Sequence, residues 1–193
     1  MEKITSYDEI LSNINKVKSS GRLITNFFPN VETVNYWIAK ERLTYRIYGK
    51  TLFLVLEEID YKKCFFVSQS LENLKVALND FAHNIDGTIA TFELIGKEED
   101  VVNCTKIFEH NKFHKYVVLG RMTKYNEGNI DIFSNDNIRK ATHEDVQIII
   151  NTLCEHFDKY AEHIPDVEEI INLIDKEYIQ LTFLGGKISG III

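Results

Sequence analysis

Glycine, proline, cysteine and clustered basic charge are all scarce in this chain of 193 residues. Nine glycines and two prolines exclude a collagen repeat and a proline-rich disordered chain. The three cysteines, Cys64, Cys104 and Cys154, are odd in number and far apart, so they make neither a disulfide framework nor a C-x-x-C redox pair. Their apolar neighbours mark them as buried thiols. No run reaches the roughly 18 apolar residues of a membrane helix. The opening Met1-Glu2-Lys3-Ile4-Thr5 leads into a polar amphipathic pattern rather than a secretory signal. Without that signal the sequon at Asn103-Cys104-Thr105 carries no weight, and the expected compartment is the cytoplasm. Basic residues number 22 against 29 acidic ones, for a net charge of −7. The nearest basic patch, Arg139-Lys140, runs straight into Glu144 and Asp145, so neither nucleic acid nor membrane is an expected partner. No Ser-His-Asp order and no G-x-S-x-G elbow is present, so a hydrolase finds no support.

What is present is a substantial core, with 45% hydrophobic residues arranged in clear periods. Ser6 and Glu9 have capping-box spacing ahead of Ile10, Leu11, Ile14 and Val17, which recur at helical intervals until Ser19-Ser20-Gly21. After the loop Asn26-Phe27-Phe28-Pro29-Asn30, residues 31–40 read as a second helix with Val34, Trp37 and Ile38 inward. The period then changes to two. Residues 43–48, 51–58 and 62–68 read as three strands whose short connections require antiparallel pairing. A helix capped by Ser70, a strand over 88–95, a helix over 100–110 and a strand over 115–122 follow, which implies parallel pairing and helices on the sheet. The fold class expected is α/β (α+β), with a mixed central sheet flanked by helices.

A polar stretch separates this part from the rest. The expected organisation is a domain over 1–124, a linker over 125–137, and a partial second domain over 138–193. Residues 138–141 start it as a short strand. Thr142 caps a helix with Asp145 at its third position and with Val146, Ile149, Ile150, Leu153 and Phe157 as an apolar stripe. Pro165 breaks the pattern, Val167, Ile170, Ile171 and Ile174 define another helix, and Gly185-Gly186 turns a hairpin between residues 178–184 and 187–193. The chain ends in apolar Ile191-Ile192-Ile193, an aggregation-prone edge if left open. Either the polypeptide continues beyond Ile193 or the edge is covered by the rest of the chain, a partner or a second copy; the first is the reading preferred.

Ile138-Arg139-Lys140-Ala141-Thr142-His143-Glu144-Asp145 resembles the I-R-x-A-T-x-x-D opening of the Gcn5-related N-acetyltransferases, and Gly185-Gly186-Lys187-Ile188-Ser189-Gly190 resembles the hairpin phrase that follows two helices in that family. The resemblance spans 56 residues. It implies an acyl-CoA N-acyltransferase-like fold and acetyl transfer from acetyl-CoA to an amine, small-molecule acceptors included. The family's cofactor loop, Q/R-x-x-G-x-G/A at the end of the next strand, turns backbone amides toward a pyrophosphate, and no such loop occurs before Ile193. Residues 1–124 resemble a degenerate copy of the same order of elements. At its corresponding junction, Val67-Ser68-Gln69-Ser70-Leu71-Glu72-Asn73-Leu74, no glycine follows Gln69, and Glu72 sets a carboxylate where a phosphate would lie. This chain is therefore expected to be inactive alone and not to bind acetyl-CoA. The alternative is a non-catalytic interaction module whose C-terminal edge strand pairs with a partner or a second copy as a homodimer.

The resemblance places the acceptor side of the second copy near the connection between its two helices, which makes Tyr160 and His163 the substrate-groove candidates; solvent-exposed residues at a helix end are their plainer reading. Cys154, His156, Asp158 and His163 lack the spacing of a metal site, and none is expected. Glu57 and Glu58 read as a charged turn before a general base, and His110 and His114 as solvated turn residues. Trp37, Phe27 and Phe28 read as packing residues first and pocket walls second.

Overall fold

Side-chain oxygens start the first three helices where the sequence offers a cap. Ser6 Oγ accepts from Glu9 N at 3.2 Å ahead of α1, Tyr7–Val17. Asn30 Oδ1 accepts from Thr33 N at 2.8 Å ahead of α2, Val31–Ala39, and Ser70 Oγ from Asn73 N at 3.2 Å ahead of α3, Leu71–Asn84. The computed structural model describes residues 1–19, 21–85, 87–120, 137–185 and 187–193, apart from the Lys187 side chain. It divides into two units, residues 1–116 and 117–193.

The first unit is built on a mixed sheet. Its strands are β1 (Glu2–Lys3), β2 (Ile24–Thr25), β3 (Leu43–Tyr48), β4 (Thr51–Glu57), β5 (Tyr61–Ser68) and β6 (Ile89–Phe92), in the order β1-β3-β4-β5-β2 with β6 also on β5. β3, β4 and β5 form the antiparallel meander that the short turns predict. β6 runs parallel to Tyr61–Cys64 after the α3 crossover, while β2 lies antiparallel to Val67 and Ser68. Thr51 to Leu56 are all buried, because helices cover both faces. On one face α1 and α2 pack Ile10, Val17, Val34 and Trp37 against Leu52, Leu54, Phe65 and Val67. On the other, α3 and α4 (Glu98–His110) pack Leu78, Phe81, Cys104 and Phe108 against Phe53, Val55 and Phe66. Phe53 and Phe81 stack at 4.1 Å, and Trp37 stacks on Phe65 at 5.7 Å with Phe27 edge-on at 5.5 Å. Phe27 and Trp37 are thus core residues, whereas Phe28 is exposed.

Two sequence readings change here. Residues 115–120 form no strand, and 121–122 lie outside the described residues. Val117 and Val118 supply β-propensity, but Tyr116 to Leu119 are all exposed, and propensity without a ladder or a covered face does not make a strand. Cys154 is exposed rather than buried, since it sits beside, not on, the helix stripe of Ile149 and Leu153.

The second unit contains β7 (Ile138–Lys140), a 3-10 turn over His143–Asp145, α5 (Val146–His156), α6 (Val167–Asp175), β8 (Gln180–Leu184) and β9 (Lys187–Ile192). Its antiparallel sheet has the order β7-β8-β9, and α5 and α6 bury Ile149, Leu153, Ile170 and Ile174 against Ile179 and Leu181. Of the expected linker, residues 125–136 lie outside the described residues, as does Gly186 of the hairpin turn.

Residues 29–49 and 165–185 match at one offset, and the two units share several local devices. Pro29 and Pro165, the only prolines, lie 136 positions apart, and the same offset carries Val31-Glu32 onto Val167-Glu168 and Lys40-Glu41 onto Lys176-Glu177. Asn30 caps α2 as Asp166 caps α6, both through the amide three residues on. Both helices end in the same motif: Glu41 N and Arg42 N donate to Ile38 O and Trp37 O, and Glu177 N and Tyr178 N to Ile174 O and Leu173 O. Glu41 and Glu177 both take the left-handed backbone, with φ of 55° and 58°. Each pairs with a lysine of the unit's first strand, Lys3 at 2.6 Å and Lys140 at 2.5 Å. Thr5 N and Oγ1 donate to Glu9 Oε2 as Thr142 N and Oγ1 donate to Asp145 Oδ2. The hairpins turn on Gly49 and Gly185, with φ of 57° and 59°. A Cβ at Gly49 meets nothing within 4 Å, so Gly49→Ala is expected to lower stability by about 1 kcal/mol through backbone strain alone, measurable by thermal unfolding.

Candidate functional site

The junction between β5 and α3 is where the family resemblance puts an anion-binding loop, and its backbone is closed from within. Ser68 is fully buried, with its Oγ 2.7 Å from Thr51 Oγ1 and donating to Ser70 O at 3.0 Å. Gln69 N donates to Lys50 O at 3.1 Å, so the amide at the would-be first motif position is taken by the neighbouring hairpin. Ser70 Oγ accepts from both Asn73 N and Asn73 Nδ2, which gives the helix start its own ligand. Glu72 adds negative charge to the first turn, the wrong sign for a phosphate guest. The residues present do not fit a pyrophosphate. A hollow of about 320 Å³ beside the junction is lined by Tyr48, Lys50, Asn73 and Asp80 among others, a mixed-charge wall.

A second feature fills the fork where β6 and β2 share one edge of β5. Asn26, 5% exposed, lies between them. Its Oδ1 accepts from Phe66 N at 2.6 Å, and its Nδ2 donates to Cys64 O at 3.2 Å and to Glu93 O at 3.0 Å. Its own amide donates to Phe66 O at 3.3 Å, and Thr25 Oγ1 donates to the same carbonyl at 2.7 Å. One amide side chain thus completes the ladder across the gap and leaves the fork occupied by the chain itself. The sequence offered Asn26 only as a loop residue; a polar side chain beside Phe27-Phe28 was its sole signal.

In the second unit the family-like opening phrase forms a folding device. Arg139 grips Asp145 with two bonds of 2.7 Å and lies over the Phe183 ring at 4.9 Å, while Ala141 N donates to Ile179 O at 3.0 Å. The Arg139 guanidinium, with help from Thr142, holds the Asp145 carboxyl well below the usual carboxylate range. In the first unit the Thr5 amide and hydroxyl lower Glu9 in the same way.

Tyr160 and His163 lie in the connection between α5 and α6, Tyr160 half-buried and His163 exposed. His163 Nε2 is 3.2 Å from Glu169 Oε1, whose other oxygen accepts from Asp166 N at 3.0 Å in the α6 capping box. Tyr160 N donates to Asp158 Oδ1 at 2.9 Å, and Lys159 lies over its ring. Glu57 pairs with Lys62 at 3.2 Å and Glu58 with Arg42. Burial pushes the Cys64 and Cys104 thiols up, away from nucleophilic use. Among the described residues no group of three or more His, Cys, Asp or Glu side chains is placed to hold a metal ion, and no helix is long and apolar enough to cross a membrane.

Comparison of the chain with protein-family models, with curated proteins and with solved structures finds no match.

Proposed function

We propose that this chain is the opening portion of a tandem acetyltransferase of the Gcn5-related type. Its first unit is a non-catalytic copy, and its second unit begins the copy that transfers an acetyl group from acetyl-CoA to an amine. The observation that carries the reading is the repeat at a constant offset of 136, running from Pro29/Pro165 through the Gly49/Gly185 turn, with the acetyltransferase-like opening phrase at its head in the second unit. The closed β5–α3 junction and the Asn26-filled fork support a structural role for the first unit. Tyr160 and His163 stand on the acceptor side in this reading.

The test is the native protein. Its intact mass exceeds 22.5 kDa, and the reading frame beyond Ile193 supplies Q/R-x-x-G-x-G/A after one more strand. A native protein of 22.5 kDa with a stop codon directly after Ile193 contradicts the proposal.

A further inference from the structure

The hollow beside the Gly49 turn lies within the first unit, between the β3–β4 hairpin and α3. Its volume of about 320 Å³ is at the lower end of the roughly 300–1,000 Å³ of small-ligand sites, which suits one compact molecule. Four polar side chains line it. The Tyr48 hydroxyl is buried and has no hydrogen-bond partner among the described residues, a condition that proteins rarely leave uncorrected. Its ring is fixed edge-on against Phe53 at 6.0 Å and Phe81 at 6.5 Å, with the Arg46 guanidinium 5.4 Å over it. Burial pushes the hydroxyl up, so it remains a protonated donor. Lys50 and Asp80 carry opposite charges into the same hollow, yet among the described residues neither belongs to an ion pair. Asn73 gives its Nδ2 to Ser70 Oγ at 2.8 Å, which leaves Oδ1 as an acceptor. The turn itself needs neither Tyr48 nor Lys50, since the matching hairpin of the second unit has Leu184 and Gly186 in their places.

We propose that this hollow binds a free aliphatic α-amino acid as its zwitterion. Lys50 and the Tyr48 hydroxyl are the donors for the carboxylate, and Asp80 and Asn73 Oδ1 are the acceptors for the ammonium. Ile47, Ala77 and Val76, the last 68% exposed on α3, are the apolar surface that the ligand's side chain covers. A lone anion would meet the Asp80 carboxylate, and a lone cation the Lys50 ammonium. Only a ligand with both charges answers both walls.

The experiment titrates L-leucine into the isotope-labelled intact chain and follows its amide shifts by NMR. Isocaproate and isoamylamine, which each keep one of leucine's two charges, serve as comparison probes. Saturable shifts at Gly49, Lys50 and Ala77, with a dissociation constant of about 1 mM or tighter, are expected for leucine. Each single-charge probe should bind at least about tenfold more weakly. Lys50→Met and Asp80→Asn change exposed side chains and should each weaken leucine at least about fivefold with circular dichroism unchanged. Tyr48→Phe keeps the ring packing and should weaken it about threefold or more. No saturable shift up to roughly 20 mM leucine, or shifts confined to other residues, overturns the proposal. So does isocaproate binding as tightly as leucine, or full affinity in both Lys50→Met and Asp80→Asn. These readings involve neither acetyl-CoA nor the reading frame beyond Ile193, so they stand or fall apart from the acetyltransferase proposal.

Discussion

Asn26→Asp is expected to lower the stability of the first unit by about 3–5 kcal/mol in urea unfolding at pH 7. The substitution keeps the size and the Oδ1 acceptor for Phe66 N, but it removes the two donors that serve Cys64 O and Glu93 O. It also sets a carboxylate against two carbonyl oxygens at a site 5% exposed, where water cannot screen them. Asn26→Ala leaves the Phe66 amide unpaired and should cost about 3 kcal/mol, with a fall in melting temperature of roughly 10 °C or more. The order matters more than either value: aspartate, the closer isostere, is the worse replacement. A pair of variants with aspartate harmless and alanine costly would contradict the assignment of Nδ2 as the bridging donor.

Asp145→Ala is expected to destabilise the second unit by about 2–3 kcal/mol at pH 7, because four hydrogen bonds converge on one carboxylate. Arg139 is about half exposed, so water takes over part of what is lost and the figure stays below that for a buried pair. The sign of the pH dependence follows from the lowered folded-state pKa. The stabilisation is fully present above the unfolded aspartate value near ~3.9 and is lost as pH falls through the folded value. Wild type should therefore lose stability progressively below about pH 5, while Asp145→Ala shows a flatter acid limb. The gap between the two should narrow steadily as the pH falls from 5 toward 2. A gap of constant size from pH 7 to pH 2 would mean that the carboxylate charge is not the stabilising feature.

The architecture of both units was readable because periodicity and caps agree locally. Ser6, Ser70 and Asp145 each act where their spacing to the following residues says they should, and the meander follows from turns too short for a crossover. The strands β1 and β2, two residues each, lie below the length at which a period can be seen. Residues 115–120 failed in the other direction, since β-branched composition reports propensity but not the presence of a partner edge. The sequence presents the likeness between the units as an order of elements, with its two prolines 136 positions apart. What made it recognisable was hydrogen bonding: two glutamates in left-handed backbone, each held by a first-strand lysine, are an unusual enough pair to fix the register. At the site, the missing glycines after Gln69 and the carboxylate of Glu72 were legible as obstacles to a phosphate. Asn26 was not, because its role depends on three strands that meet only in the folded chain.

Isothermal titration of the 193-residue chain with acetyl-CoA addresses the central claim most directly, that the first copy is closed to the cofactor and serves as structure. No saturable heat is expected up to millimolar ligand, and the melting temperature should be unchanged in its presence. Stoichiometric binding with a micromolar dissociation constant would contradict it, since the Ser70 cap and the Gln69–Lys50 bond would then have to open to admit the ligand.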